Sequence, residues 1–150
     1  MDKKTIRLLV QDLIHNLPEE TKKQESDIVC QKLRDILSQK NFNTLVTYTA
    51  FHDELDVSWI SDWCDTGWKN ILTIPQSNEN ITIPPDALIL APGRAFTKDG
   101  KRIGRGSGYY DKLLSQHPHL QTIGVCFNCQ IFEDLPQDEW DKQMDEVVFA

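Results

Sequence analysis

The residues best suited to chemistry lie in one short stretch, Gly100-Lys101-Arg102-Ile103-Gly104-Arg105-Gly106-Ser107-Gly108-Tyr109-Tyr110-Asp111, which holds four of the chain's seven glycines interleaved with cations. Glycine admits positive φ and lets the backbone approach a ligand closely, so that several N–H groups can converge on one anion. A helix starting near Gly108 would add its positive N-terminal end. Lys101, Arg102 and Arg105 can then close on the oxygens, the arginines through forked hydrogen bonds. Between Arg94 and Lys112 six cations face only Asp99 and Asp111, in a chain whose net charge is −7. A positive island in an acidic protein points to a bound anion. The competing reading is a solvated surface turn, since glycine clusters alone are weakly specific.

Other candidates are sparser. Lys3 and Arg7 stand four apart and share a helix face, which by itself describes a solvated surface as well as a ligand contact. The polar run Phe51-His52-Asp53-Glu54-Leu55-Asp56 follows an apolar strand, and open α/β sheets place ligands at the C-terminal ends of strands. Glu54 is the ligand candidate there, and Asp56 is assigned to capping the next helix. Cys126 and Cys129 have the spacing of a zinc or redox half-site. With no second pair or spaced histidines, they read as buried or half-buried free thiols. No Ser/His/Asp or Cys/His constellation is visible, and no carboxylate or lysine is placed as a nucleophile for acyl transfer or phosphosugar chemistry.

To position these groups the chain of 150 residues must fold as a single domain, residues 1–150. Apolar residues make up 39% and charged residues 26%, the balance of a globular protein. Without an apolar run of membrane length or a signal-peptide core, the expected compartment is cytoplasmic, with no membrane partner. The acidic balance argues against nucleic acid.

Ile6, Leu9, Val10, Leu13, Ile14 and Leu17 recur at helical spacing, predicting a first helix over residues 1–17 that Pro18 ends. A second helix is expected from about Pro18 through Leu37, and a third around Trp59, Ile60 and Trp63, stopped by Gly67. Leu45–Ala50, Asn70–Ile74, Ala87–Ala91 and Thr122–Cys126 read as short buried strands, with Glu146–Phe149 as a fifth. A hairpin is expected at Asp99-Gly100, then a helix with Tyr109, Leu113 and Leu114 inward, ended by Pro118. The alternation predicts a three-layer α/β fold, an open and mainly parallel sheet with helices on both faces. The glycine stretch then shares one edge of the sheet with Glu54, making a common cleft.

Pro92-Gly93-Arg94-Ala95-Phe96 followed by Gly100 to Asp111 resembles the motif of the 5-formyltetrahydrofolate cyclo-ligase (methenyltetrahydrofolate synthetase) family. The glycines, the two arginines and the closing Tyr-Tyr-Asp stand at the family's spacing. Lys3 and Arg7 resemble an N-terminal Lys-x-x-x-Arg pair that contacts ATP in the family. Asp53-Glu54-Leu55-Asp56 resembles its folate-contacting acidic motif, and Met144-Asp145-Glu146-Val147-Val148 its closing segment, whose aspartate lies by the magnesium. The resemblance runs nearly end to end. It departs in a short segment, Gln76–Pro84, where relatives carry a longer insertion, in Arg94 at a commonly apolar position, and in Thr49 where a larger apolar residue lines the folate site.

The resemblance implies ATP- and Mg2+-dependent closure of the methenyl ring of a reduced folate, in a monomer or weak homodimer. It implies ATP contacts from Lys3, Arg7, Arg102, Gly104, Arg105, Gly106, Ser107, Gly108, Tyr109, Tyr110 and Asp111, with Arg105 and Tyr110 nearest the chemistry. Thr49, Glu54 and Tyr110 are expected at the folate, and Asp111 and Asp145 at magnesium. Asp111 also reads as a first-turn helix residue and Asp145 as one of several solvated acids near the C-terminus. Tyr109 and Tyr110 are adjacent in sequence, so one is expected to pack inward while Tyr110 lines the site. The short segment leaves a second possibility, a family member that binds nucleotide or folate without turnover.

Overall fold

Apolar periodicity builds the scaffold in alternation. The structure, a computed structural model, describes residues 1–77 and 79–150. Four helices, α1 (Lys3–His15), α2 (Glu19–Leu37), α3 (Ser58–Cys64) and α4 (Tyr109–Gln116), alternate with strands β1 (Thr44–Tyr48), β2 (Asn70–Ile74), β3 (Ala87–Ala91), β6 (Gln121–Val125) and β7 (Glu146–Val148). A two-stranded antiparallel hairpin, β4 (Ala95–Phe96) and β5 (Arg102–Ile103), stands apart from the main sheet. The five other strands are parallel and ordered β2-β1-β3-β6-β7.

Side chains alternate across the sheet with the period of a strand. Leu45, Leu88, Leu90, Ile123 and Val125 enter a core shared with Val10, Ile14, Val29, Leu33 and Ile60 of α1, α2 and α3. Val46, Ile89 and Ala91 face the other way and meet Leu113 and Leu114 of α4, with Ile83 and Phe96. The sheet is therefore covered on both faces, as expected. β1 and β3 are buried at every position, which matches central parallel strands, while the outer strand β2 is half exposed.

Several boundaries differ from the sequence reading. The first helix ends at His15 and continues only as a turn, with Leu17 N–H donating to Ile14 O. It buries the stripe Ile6, Val10 and Ile14, leaving Leu9 and Leu13 at 38% and 39% exposure. Thr49 and Ala50 lie beyond β1, released from the ladder at the edge where ligands bind. The Asp56 carboxylate accepts a bond from Ser58 N–H at 2.9 Å, but Val57 holds the N-cap position of α3 and no side chain caps the helix there, so the capping role expected of Asp56 is corrected to a turn two residues ahead of the helix.

The hairpin turn falls at Asp99-Gly100. Gly100 has φ +107°, and a Cβ there would lie 2.3 Å from Met144 O. That close approach lets Met144 N–H donate to Gly100 O at 2.8 Å, which fastens the C-terminal segment over the turn.

Candidate functional site

In the sheet order, the chain moves outward from β1 to β2 and then returns to β3 on the other side of β1. Such a reversal opens a crevice at the carboxyl ends of the two strands. A cavity of about 240 Å3 lies there, walled by Tyr48 at the end of β1, by Thr49 and Glu54 after it, by Pro92 after β3, and by Arg105, Ser107 and Gly108 of the glycine loop. Ile74, Pro75 and Gln76 close the β2 side. Gln76 Nε2 donates to Thr49 O at 3.0 Å, fixing the end of β1. The common cleft expected of the glycine stretch and Glu54 is present. A wider cleft of about 720 Å3 adjoins it between α2 and α3, sharing Tyr48, Thr49, Phe51 and Glu54.

The loop from Gly104 to Gly108 joins β5 to α4 with positive φ at Gly106 (+116°) and Gly108 (+71°). Gly108 precedes the helix in a left-handed conformation and has no side chain to cap it, while Ser107 Oγ accepts from Tyr109 N–H, the first amide of α4, at 3.3 Å. Among the described residues, the backbone N–H groups of Arg105, Gly106, Ser107 and Gly108 have no protein acceptor. A row of unpaired amides leading into a helix N-terminus has the donor geometry that a phosphate chain needs.

Cations surround this loop. Arg7 Nε donates to Gly104 O at 2.9 Å, which brings α1 against the loop. The Arg102 side chain is buried, with Nε donating to Pro92 O at 2.8 Å and its guanidinium 4.9 Å from the Tyr110 ring centroid. Burial depresses its pKa from the ordinary value, against the pull of Asp111. Arg105 is more exposed and reaches back across the cavity mouth to Asp53 at 2.9 Å and Glu54 at 3.7 Å. Lys3 is set differently: its ammonium meets both Asp138, at 2.7 Å, and Asp141. Burial would lower the Lys3 pKa, but those two carboxylates outweigh it and raise it.

Glu54 is the cavity's carboxylate, with its side chain 6% exposed. Burial pushes its pKa up, opposed by the Phe51 N–H at 3.0 Å and by Arg105. Both tyrosines line the cavity, so the expectation that one packs away from it is corrected. Their rings meet edge to face at 5.5 Å, and the Tyr109 hydroxyl donates to Glu79 O at 2.8 Å. Adjacent positions at the first turn of a helix flank an opening on two sides instead of facing apart across a packed core. Burial raises the Tyr110 phenol well above its ordinary value, so it stays protonated.

The two aspartates expected at magnesium lie at different ends of the sheet. Asp111 is in the first turn of α4, near the loop, and accepts from Lys142 N–H at 3.2 Å. Asp145 precedes β7, where it exchanges two bonds of 2.9 Å with the N–H and hydroxyl of Thr122 near the start of β6. Among the described residues no three His, Cys, Asp or Glu side chains gather to hold a metal. Asp111 stands beside the loop, the placement of a single carboxylate that could share magnesium with substrate phosphates and water.

No thiol among the described residues lines the smaller cavity, and Cys30 borders the wider cleft. All four cysteines are free, and burial raises the pKa of Cys30, Cys64 and Cys129 to about 11. The sequence assigns Asp53 no role of its own, only a place in the acidic run that resembles the folate-contacting motif.

These features define an α/β protein with a loop of unpaired amides and an adjoining cavity at the sheet's reversal point. Residues 73–150 match the family model described as the 5-formyltetrahydrofolate cyclo-ligase family. A mouse 5-formyltetrahydrofolate cyclo-ligase is 30% identical over 135 residues, taking in 78% of this chain and 64% of that protein. The Escherichia coli K12 protein of the same name is 40% identical over 63 residues, 41% of this chain and 35% of that one. The chain thus matches less than two-thirds of the length of either.

The fold is similar to a 5,10-methenyltetrahydrofolate synthetase from Mycoplasma pneumoniae, with TM-score 0.85, 25% identity and 99% of both chains covered. The Aquifex aeolicus 5,10-methenyltetrahydrofolate synthetase gives 0.81 and 27%, covering 99% of this chain and 89% of that one. The chain belongs to the 5-formyltetrahydrofolate cyclo-ligase family. No helix among the described residues is long and apolar enough to cross a membrane.

Proposed function

We propose that the protein uses ATP and Mg2+ to close 5-formyltetrahydrofolate into 5,10-methenyltetrahydrofolate, releasing ADP and phosphate. The observation that carries this reading is the row of unpaired amides at 105–108 beside a cavity that holds a buried carboxylate, Glu54. The first feature suits a triphosphate and the second a pterin, whose paired N–H donors a carboxylate accepts. The names of the relatives support the same substrate.

In this reaction the formyl oxygen attacks the γ-phosphorus and ADP departs, giving a phosphorylated formyl group. The neighbouring folate nitrogen then attacks the formyl carbon, loses its proton, and expels phosphate with the former formyl oxygen. Such chemistry requires positioning and charge neutralisation more than a protein nucleophile. The loop amides with Arg7, Arg102 and Arg105 hold the phosphates. Glu54 and Thr49 orient the pterin, and Tyr109 and Tyr110 wall it from water. Magnesium, carried with the phosphates and held through Asp111, would neutralise charge that develops on their oxygens.

A second reading, a family member that binds ATP or folate without turnover, draws on one observation. Lys3 and Arg105 are already engaged by the protein's own carboxylates, Asp138 and Asp141 on one side and Asp53 and Glu54 on the other. Incubation with ATP, Mg2+ and 5-formyltetrahydrofolate, followed through the methenyl absorbance, separates the two. Growth of absorbance in step with ADP release supports cyclisation. Binding of both ligands by calorimetry with no absorbance change leaves only the second reading.

A further inference from the structure

Asp53 stands between two guanidinium groups at the mouth of the cavity. Its Oδ2 accepts from Arg94 Nη1 at 2.7 Å and its Oδ1 from Arg105 Nη1 at 2.9 Å. The Arg94 and Asp53 side chains are 9% and 12% exposed, against 38% for Arg105. Arg94 and Asp53 therefore form a fixed post from which Arg105 extends. The post is anchored through the backbone of Arg94, whose N–H donates to Ile103 O at 2.7 Å and whose carbonyl accepts from Gln130 Nε2 at 2.9 Å. Burial would raise the Asp53 pKa, yet the bonds from Arg105 and Arg94 outweigh it and keep the carboxyl below its ordinary value. Asp53 thus stays charged.

Two further contacts define where Arg105 points. Its guanidinium carbon lies 4.7 Å from the Phe51 ring centroid, a cation–π contact on the group's flank. Its carboxylate contacts, to Asp53 and to Glu54, both run through Nη1. Among the described residues its Nη2 and Nε have no protein acceptor, so one edge of the fork remains open to an anion.

Charge explains the presence of Arg94. Asp53 and Glu54 without it would both draw on the Arg105 Nη1 edge with no second guanidinium to share the load. With Arg94 the four groups balance, and Arg105 keeps its pull on an incoming anion.

We infer that Asp53, held by Arg94, is a positioning residue that sets Arg105 in register with the glycine loop for the terminal phosphates of a nucleoside triphosphate. This rests on the nucleotide-using function proposed above. Pre-organisation is the physical gain: an arginine already held by one edge loses less freedom when the other binds.

Calorimetric titration with ATP and with inorganic tripolyphosphate tests it on the full chain, in wild type, Asp53→Asn, Arg105→Ala and the combined Asp53→Asn/Arg105→Ala variant. Asp53→Asn is expected to weaken both ligands about tenfold, the scale of one charge-assisted contact. In the Arg105→Ala background the same change should do nothing, because Asp53 acts only through Arg105. A purely structural role would weaken binding in both backgrounds and overturn the inference, as would wild-type affinity in Asp53→Asn.

If Asp53→Asn melts too low to titrate, Asp53→Asn/Arg94→Met removes the buried charge pair together and takes its place, with the same expectation. Wild-type protein that binds neither ligand would overturn the nucleotide-using function along with this inference. Wild-type turnover with unaltered Asp53→Asn binding would overturn the inference alone.

Discussion

Arg7 Nε donates to the carbonyl oxygen of Gly104 at 2.9 Å, across 97 positions of sequence. The bond seats α1 against the glycine loop, and the Arg7 guanidinium lies 3.8 Å from where a Cβ on Gly106 would be. A pair that on sequence alone fits a solvated helix face therefore divides in the fold: Arg7 joins the loop, whereas Lys3 joins Asp138 and Asp141.

Arg7→Ala is expected to weaken ATP binding by about 10- to 100-fold, since it removes both a charge beside the phosphates and a bond that shapes the loop. Arg7→Lys should recover little of this, because an ammonium cannot serve Gly104 O and an anion with one planar fork. Titration of the two variants with ATP checks it. Affinity equal to wild type in Arg7→Ala would take Arg7 out of the phosphate site.

The two aspartates expected at magnesium should separate by experiment. Asp111→Asn is expected to raise the Mg2+ concentration needed for half-maximal turnover or ATP binding, with little change in melting temperature. Asp145→Ala should do the reverse. It leaves the Thr122 N–H without its acceptor and should lower stability by about 1–3 kcal/mol while the Mg2+ dependence stays put. Magnesium titrations and denaturation curves on both variants decide the matter, and a shifted Mg2+ midpoint in Asp145→Ala would contradict the assignment.

Gly100→Ala tests the hairpin. With φ +107° and Met144 O only 2.3 Å from the added Cβ, both the backbone and the C-terminal segment must move. The expected loss is about 3 kcal/mol, or a fall in Tm of roughly 6–12 °C. Thermal unfolding measures it, and a change under 1 °C would show that the turn tolerates a side chain.

Glu54 links function to pH. Its folded-state pKa is raised by burial, so the stability it contributes is present below its ordinary value of 4.5 and is lost as pH rises through the folded-state value. Glu54→Gln removes that dependence. The melting temperature of the variant should therefore rise relative to wild type between pH 4 and pH 7, while binding of 5-formyltetrahydrofolate falls. Melting curves at the two pH values give the sign, and a relative fall on going to pH 7 would show that Glu54 is stabilised as a carboxylate.

Much of the scaffold is legible in local patterning. β1 and β3 announce themselves as short, wholly apolar runs because central parallel strands are buried on both faces. The Asp99-Gly100 turn is legible because few residues other than glycine accept its φ. Helix length was less so. Leu9 and Leu13 continue the spacing of α1, yet the helix buries only the Ile6, Val10 and Ile14 stripe, and Leu17 meets the core from the turn beyond it.

The sequence by itself determined the glycine loop, since φ-permissive glycines and alternating cations are local properties that hold wherever the segment lies. It determined the α/β class as well, because the switch between periods of two and near four residues is written along the chain. Only the tertiary structure decided which charges meet. Asp53 reaches Arg105 and Arg94 because the strand order reverses between β1 and β3, and Asp145 is drawn to Thr122 because β6 and β7 run side by side. Pairing of charges distant in sequence depends on strand order, which arises from the packing of whole elements and leaves no mark on the residues that end up in contact.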